Sequence, residues 1–404
     1  MNGGISRLPT LYSLMTKLRR ASINFCVLAL SLAIALLLSE FLSRIVVHSG
    51  DFLAIEPVND NVLGMVPSAA SKAGYDAWGF RNRQVPQQAD IVAIGDSHTY
   101  GNTARMEDSW PIVVGHLTGR TAYNMGMGGY GPNQYYYLLK TKALGLKPKL
   151  IICGFYMGDD FENAYQITYG LDYWSYLRKL PGQKAKFNIW EVQDTPVWHK
   201  RMRVWLSRHS VIYQMLFHTS ALGRLQGEAQ IKVDPNIDPS VTALVIPQKH
   251  ILEAFRPEAV LRAIDQQNPD IREGMRITFK LFQDMKALCD QNQIQFLVVV
   301  IPTKEMVFSP YLEQHPEIPL SEVLRKLTAN ERLARESMFA FFKESNISYV
   351  DALPALQASA ERELYARTAQ DVHPSRNGYR VIAETIFGAL NQNKAQQAIA
   401  GPVR

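Results

Sequence analysis

Five short apolar runs are spaced along the chain, and each has the length of a strand that is buried on both faces. The runs are Ile91–Ile94, Thr121–Asn124, Leu150–Phe155, Gln295–Ile301 and Ile347–Asp351. Around the later runs, Ile271–Asn292 and Ser321–Glu344 repeat apolar residues at helical spacing. This alternation predicts an α/β fold, in which a parallel five-stranded sheet carries helices on both faces.

A longer apolar run lies near the N-terminus. No charged residue occurs between Arg20 and Glu40, and about 20 apolar helical residues span the hydrocarbon core of a bilayer. The residues before the run include four Lys or Arg and no Asp or Glu. The positive-inside rule therefore predicts a cytoplasmic flank at 1–21, a transmembrane anchor at 22–42 and a periplasmic remainder. The alternative is a cleaved signal peptide, although the residues after the run are too bulky for a typical cleavage site.

The rest of the chain is longer than a five-stranded domain requires. We divide it into a linker at 43–75, a first domain part at 76–160, an insert at 161–269, a second domain part at 270–392 and a tail at 393–404. We expect the insert to be a mainly helical cap, with 223–250 as a loop. The insert contains four tryptophans, Trp174, Trp190, Trp198 and Trp205. We expect them either to stack on sugars or to pack a small core of the insert itself.

Composition excludes several classes of protein. The net charge of +6 over 404 residues is mild, so it does not indicate a nucleic-acid partner. Three scattered cysteines do not form a disulfide framework. The sequence has no zinc-type Cys/His spacing, no P-loop and no dinucleotide glycine motif after a strand, so it predicts neither a metal nor a cofactor.

The first apolar run of the domain ends in a short polar turn, Gly95-Asp96-Ser97-His98. Ligands bind at the carboxyl edge of parallel sheets, and this turn lies at that edge. Ser97 is therefore a candidate nucleophile, and the alternative is an ordinary turn. His98 either lines a pocket or fills the turn.

A candidate base for Ser97 lies near the other end of the chain. Asp371 and His373 precede a segment with helical periodicity, which predicts a loop just before a C-terminal helix. An imidazole can accept the serine proton, and a carboxylate can fix its tautomer. The alternative is a helix start with an incidental histidine.

These segments resemble the blocks of the SGNH (GDSL-type) hydrolase superfamily. Gly95-Asp96-Ser97 matches the nucleophile block, Asn124–Gly131 resembles the glycine block, and Asp371-Val372-His373-Pro374 matches the last block. Asp76-Ala77-Trp78-Gly79-Phe80-Arg81 is similar to a segment of bacterial membrane-anchored members. The resemblance implies a flavodoxin-like sheet and a Ser97-His373-Asp371 triad.

The family's oxyanion hole is expected to differ in this chain. The resemblance implies that backbone N–H groups of Ser97 and Gly129 donate to the oxyanion. Asp159 stands where the family carries an asparagine donor. Three alternatives follow: Asp159 is protonated and donates, Asn163 replaces the missing donor, or the protein is slow or not catalytic.

Two further features resemble the alginate-type O-acetyltransferases. Asp371 lies two residues before His373, a spacing that this branch shares, and Asp351 and Gln370 are weaker alternatives. Lys304 belongs to a Pro-x-Lys segment similar to one in those proteins, so it is a candidate pocket residue.

Together, the resemblance and the anchor imply an extracytoplasmic serine esterase that acts on acyl, especially O-acetyl, esters of a cell-envelope or exported glycan. The partners would be an acylated carbohydrate, the inner membrane and envelope polysaccharide machinery. The alternatives are an O-acetyltransferase, a lipase-like or thioesterase activity, and a non-catalytic module that binds glycan or acts as a scaffold.

Overall fold

The computed structural model describes most of the chain, with gaps. The described residues are 8–53, 55–68, 73, 75–179, 198–218, 242–246, 251–317, 321–365 and 371–400. Of the predicted insert at 161–269, the structure describes 161–179, 198–218, 242–246 and 251–269.

The chain begins with one long helix, α1 (Leu8–Val46). Its segment Met15–Val46 is the one described helix that is apolar and long enough to cross a membrane, and the predicted anchor 22–42 lies inside it. At about 1.5 Å per residue, this segment is longer than a bilayer core of about 30 Å. The helix also continues four residues into the predicted linker at 43–75.

The described residues contain nine strands, which form one central sheet and two hairpins. They are β1 (Pro57–Asp60), β2 (Gly64–Pro67), β3 (Ile91–Gly95), β4 (Ala122–Gly126), β5 (Leu150–Tyr156), β6 (Thr242–Ile246), β7 (Ile251–Phe255), β8 (Gln295–Ile301) and β9 (Ser348–Asp351). The central sheet has the order β4-β3-β5-β8-β9, and every pair is parallel. This is the doubly wound order of flavodoxin-like folds. The predicted five-stranded α/β fold is confirmed, with each strand within two residues of its predicted ends.

The inner strands are apolar at every position because the sheet is covered on both faces. β3 and β5 are buried throughout. Side chains alternate between the faces of a strand, so Val92 and Ile94 belong to one core cluster, while Ile91 and Ala93 belong to another. This double burial explains why the strands appear in the sequence as continuous apolar runs.

Helices form the two outer layers. After α1 they are α2 (Ser97–Tyr100), α3 (Trp110–Thr118), α4 (Pro132–Thr141), α5 (Asp160–Gly170), α6 (Trp198–His209), α7 (Val211–His218), α8 (Pro257–Ile264), α9 (Pro269–Gln291), α10 (Lys304–Val307), α11 (Ser309–Gln314), α12 (Ser321–Glu344), α13 (Leu353–Ala358) and α14 (Arg376–Ala400). Helices α4 and α9 pack on one face of the sheet, and α3 and α14 pack on the other. The last helix continues into the segment predicted as a tail.

The described part of the insert contains helices and one hairpin. Strands β6 and β7 pair antiparallel, so β6 corrects the expectation of a loop throughout 223–250. The remaining residues of that stretch lie outside the described residues. Trp174 is fully buried in a small cluster, whereas Trp198 and Trp205 are exposed, and Trp190 lies outside the described residues.

Candidate active site

Ser97 begins a one-turn helix at the carboxyl end of β3. The Asp96 carboxylate caps this helix α2 by accepting hydrogen bonds from the N–H groups of His98, at 2.9 Å, and Thr99. Gly95 permits the tight turn, because a Cβ there would lie 2.0 Å from the Thr99 hydroxyl. The turn therefore holds Ser97 at the sheet edge predicted for ligands.

His373 and Asp371 meet Ser97 from the loop before α14. The distance from His373 Nε2 to Ser97 Oγ is 2.7 Å, and that from His373 Nδ1 to Asp371 Oδ1 is 2.6 Å. Asp371 Oδ1 also accepts the backbone N–H of His373 at 3.0 Å. Burial alone would raise the pKa of Asp371, but its hydrogen bonds to the ring and the N–H of His373 lower that pKa overall. The Asp371 carboxylate, the His373 imidazole and the Ser97 hydroxyl thus form a continuous chain of hydrogen bonds.

The loop after α2 supports the histidine. Asn102 Nδ2 lies 3.3 Å from His373 Nε2, and the Thr103 hydroxyl donates to the carbonyl of Pro374 at 2.6 Å. Sequence reasoning missed both residues, since an Asn-Thr pair in a turn carries no signal of its own.

Arg81 connects the nucleophile loop to the segment after α1. Its guanidinium donates to the carbonyls of Gly101, at 2.9 Å, and Ala104, at 2.7 Å, and pairs with Asp51 at 2.8 Å. The side chain of Arg81 is buried, so it could not be lost without leaving these groups unpaired. The Asp76–Arg81 motif therefore has a structural role in supporting the loop that follows Ser97.

His98 lies under the site. Its Nδ1 atom is 3.0 Å from Asp96 Oδ2, and its ring stacks on Tyr156 with centroids 3.8 Å apart. The ring centroid of His373 is 4.8 Å away. His98 is almost completely buried, so it forms part of the floor beneath the triad and does not lie on an open wall.

The glycine block turns closely beside the nucleophile. The N–H of Met127 donates to the carbonyl of Gly95 at 3.1 Å, and Gly129 has a φ of +75°, which favours glycine. A Cβ on Gly128 would lie 3.8 Å from the Cβ of Ser97. The measured approach to the nucleophile is thus made by Gly128, and the oxyanion role of Gly129 stays a prediction.

Asp159 follows β5 at the same sheet edge. Its Oδ1 atom is buried without a hydrogen-bond partner among the described residues. Burial, reinforced by the nearby Asp96 carboxylate, raises the pKa of Asp159 to about 8, although His373 opposes this shift. Asn163 hydrogen-bonds to the Asp159 side chain, so the two candidate donors are neighbours. This upward shift favours the protonated form of Asp159 near neutral pH, in which the carboxyl group has a proton to donate.

Asp160 completes a group of three acids with Asp96 and Asp159. One carboxylate oxygen of each lies within 4.8 Å of the others, a spacing that a cation could bridge. However, Asp160 already accepts hydrogen bonds from the Tyr135 hydroxyl at 2.8 Å and the Tyr156 N–H at 2.9 Å. Burial raises the pKa of Asp160 well above its usual range. Burial and the neighbouring carboxylates therefore favour a retained proton on Asp160, whereas the hydrogen bonds from Tyr135 and Tyr156 favour its charged form.

Lys304 lies behind Asp371. Its ammonium donates to the backbone carbonyl of Asp371 at 3.0 Å and lies 3.4 Å from Glu253 Oε2, on strand β7 of the insert. Both side chains are buried. Lys304 therefore does not line an open pocket and instead joins the insert hairpin to the catalytic loop. The weaker candidate Asp351 pairs with Arg335, and Gln370 lies outside the described residues.

Comparisons with known proteins return solved structures only. A lipolytic protein of the G-D-S-L family from Desulfitobacterium hafniense DCB-2 is 14% identical, with 74% of this chain and 97% of that chain covered and a TM-score of 0.37. A GDSL-like lipase from Bacteroides thetaiotaomicron VPI-5482 is 12% identical, with 76% and 93% covered and a TM-score of 0.34. A catalytic mutant of an acetylxylan esterase from Geobacillus stearothermophilus is 11% identical, with 75% and 94% covered and a TM-score of 0.34.

No family model and no curated protein matches the chain. TM-scores of this size say nothing about activity, so the function proposed below depends on the geometry of this chain.

Proposed function

We propose that this chain is an extracytoplasmic serine esterase that removes acyl groups, in particular O-acetyl groups, from a cell-envelope or exported glycan. The observation that carries the proposal is the pair of short contacts at His373. Its Nε2 lies 2.7 Å from the Ser97 hydroxyl, and its Nδ1 lies 2.6 Å from the Asp371 carboxylate. These distances suit a general base that is held in one tautomer.

The first half of the reaction forms an acyl-serine. His373 takes the Ser97 proton at Nε2 while Oγ attacks the ester carbonyl carbon. The Asp371 carboxylate stabilises the imidazolium through the Nδ1–H bond. When the tetrahedral intermediate collapses, His373 returns the proton to the departing sugar hydroxyl. Water then attacks the acyl-serine with the same histidine as its base, which releases the carboxylic acid and restores Ser97.

The oxyanion requires hydrogen-bond donors during both halves. The backbone N–H groups of Ser97 and Gly129 are two candidates, and the proton of neutral Asp159 is the third. A carboxylic acid kept protonated by burial can donate in this way. Asp159 therefore substitutes for the asparagine of the family without placing a negative charge against the oxyanion.

Location and substrate are inferred from other features. The apolar helix α1 and its basic N-terminal flank favour a cytoplasmic N-terminus, with the sheet domain on the opposite side of the membrane. A glycan ester is the substrate class that this compartment and the sequence resemblance suggest. A polar site with a buried, protonated acid also suits a short acyl group better than a long chain.

A serine-directed fluorophosphonate tests the chemistry. We expect it to label the detergent-solubilised full chain, and Ser97→Ala to abolish labelling while far-UV circular dichroism stays unchanged. Ser175→Ala, which changes an exposed serine within the short helical segment Asp172–Leu177, serves as the matched control. Folded wild-type protein that takes up no label would favour the non-catalytic alternative.

The acyl class and the acceptor need a second measurement. We expect acetyl esters to be cleaved faster than octanoyl esters, and acetylated glycans to release acetate. Adding unacetylated glycan separates hydrolysis from transfer, because a transferase would move the acetyl group to the sugar. Faster cleavage of the octanoyl ester would contradict the proposed acyl class.

A further inference from the structure

Helix α6 (Trp198–His209) exposes a row of apolar side chains. Trp198, Met202 and Trp205 lie at positions i, i+4 and i+7, which place them on one side of the helix. They expose 75%, 49% and 55% of their surfaces. Large exposed apolar rows of this kind mark interaction surfaces on soluble domains.

The same helix is basic. Its twelve residues include four Lys or Arg and no Asp or Glu. Tryptophan together with basic residues on one amphipathic helix is the composition of segments that lie in the headgroup region of a membrane. Arg208 pairs with Glu56 at 3.7 Å, whereas Arg201 and Arg203 are exposed, with Arg201 next to the apolar row on the helix surface.

The end of α1 is bonded directly to this helix. Arg44 donates to the carbonyl of His209, the last residue of α6, at 2.7 Å. Glu40 caps the following helix by accepting from the N–H groups of Val211, at 2.9 Å, and Ile212, at 3.0 Å. These bonds fix α6 against the point where α1 leaves its apolar stretch.

The position of Glu40 sets the depth of this junction. Glu40 comes twenty positions after Arg20, which corresponds to about 30 Å of helix and to the thickness of a bilayer core. A helix that crosses the bilayer with Arg20 at one boundary therefore brings Glu40 to the other. The junction with α6 then lies at the level of the lipid headgroups.

We propose that α6 lies on the outer surface of the membrane, with Trp198, Met202 and Trp205 inserted among the lipids and its arginines at the phosphate groups of anionic phospholipids. The proposal goes beyond esterase activity and does not depend on it. It does rest on α1 crossing the bilayer, since that crossing supplies the lipid surface beside the row.

Quenching of tryptophan fluorescence by brominated lipid tests the contact. All six tryptophans lie outside α1, so none reports on the transmembrane segment itself. The full chain is reconstituted into phosphatidylcholine–phosphatidylglycerol vesicles, with and without bromine on the acyl chains. We expect quenching of the wild type, and loss of at least half of that quenching in the double variant Trp198→Phe/Trp205→Phe. The control Trp78→Phe removes a tryptophan of the sheet domain and should leave the quenched signal in place.

A second variant tests the same contact in case the double tryptophan variant fails to fold. Met202→Asp keeps both tryptophans but places a charge between them, so it should reduce quenching. Leu333→Asp, which changes an exposed apolar residue on α12, should not. If a protein or a glycan covers this face in place of lipid, the wild type will show no quenching even though the chain resists extraction by alkaline carbonate. That result would overturn the proposal. If alkaline carbonate extracts the chain from the vesicles, the predicted transmembrane anchor is wrong as well. Fluorophosphonate labelling tests the esterase proposal separately.

Discussion

The protonation state of Asp159 decides whether this residue can support the proposed catalysis. An ionised aspartate next to a developing oxyanion would oppose catalysis, whereas a neutral one donates a hydrogen bond as asparagine does. Burial and the Asp96 carboxylate favour the neutral form. Residue type alone could not decide between these outcomes, because the deciding groups come from other segments of the chain.

The pKa of Asp159 gives a prediction for the pH profile. Since burial raises this pKa to about 8, Asp159 is protonated below that pH and loses its proton above it. We therefore expect kcat for a neutral acetyl ester to fall at least tenfold between about pH 7 and pH 10, as removal of an oxyanion donor typically costs about 10²–10³-fold. Rates measured across this range with Asp159→Asn should lack the alkaline fall, because an amide does not titrate.

Asp96 and Glu162 raise the pKa of Asp159, and His373 lowers it when charged. The Asp160 carboxyl group also lies within 4.8 Å of Asp159. Asp172→Asn is a suitable control, because its carboxylate is exposed and its variant should keep the wild-type profile. An alkaline fall that survives in Asp159→Asn would assign the titration to another group.

At the scale of elements, the sequence predicted the buried parallel strands and missed the hairpins. β3, β5 and β8 are short apolar runs rich in β-branched residues. At that length, such a run favours a buried strand over a helix. β1 and β2 are four residues each and contain Pro, Gly or Asp, which are signals of turns. No local pattern marks the pairing of β6 with β7.

The candidate site divides in a similar way. Ser97, Asp371 and His373 stand in recognisable blocks, so their proximity could be predicted. Asn102 and Glu253 reach the site only through the fold, from a turn and from the insert. Their contribution depends on tertiary contacts that no spacing in the sequence records.

Lys304 connects two of these elements, and we expect its loss to act through the position of Asp371. Lys304→Met removes the ammonium that holds the Asp371 carbonyl and leaves Glu253 buried without that partner. The expected result is a fall in kcat of at least tenfold with little change in KM, since the substrate contacts remain. Steady-state kinetics on an acetyl ester measure both constants.

Lys326→Met is the matched control for this variant, because Lys326 is an exposed lysine on α12. Retention of wild-type kcat in Lys304→Met would show that the lysine has no positioning role. A lower melting temperature without a kinetic effect would assign it to stability alone.

At the scale of the whole molecule, packing of the central sheet against its two helical layers stabilises the fold. This packing keeps Ser97 close to Asp371 and His373, which are distant in the sequence. Phe155, on the middle strand, packs against Phe161 and Phe282 with ring centroids 5.0 and 5.6 Å away. Truncating such a residue leaves a cavity that the neighbouring helices cannot fill.

We therefore expect Phe155→Ala to lower the free energy of unfolding by about 3–5 kcal/mol. Denaturant unfolding of the detergent-solubilised chain, followed by circular dichroism, measures the change. Leu333→Ala removes an exposed apolar side chain from α12 and should change stability by about 0.5 kcal/mol or less. Equal effects of the two variants would contradict the core position of Phe155.

The buried pairing of Arg81 with Asp51 has a consequence for where Ser97 lies relative to the membrane. Asp51 comes only five residues after the end of α1, and Arg81 ties it to the carbonyls beside the nucleophile helix. These contacts tie the sheet domain closely to the end of α1. If α1 is seated in the bilayer, Ser97 is held at a set height above the lipid, and a substrate of the proposed activity would have to reach it at that height.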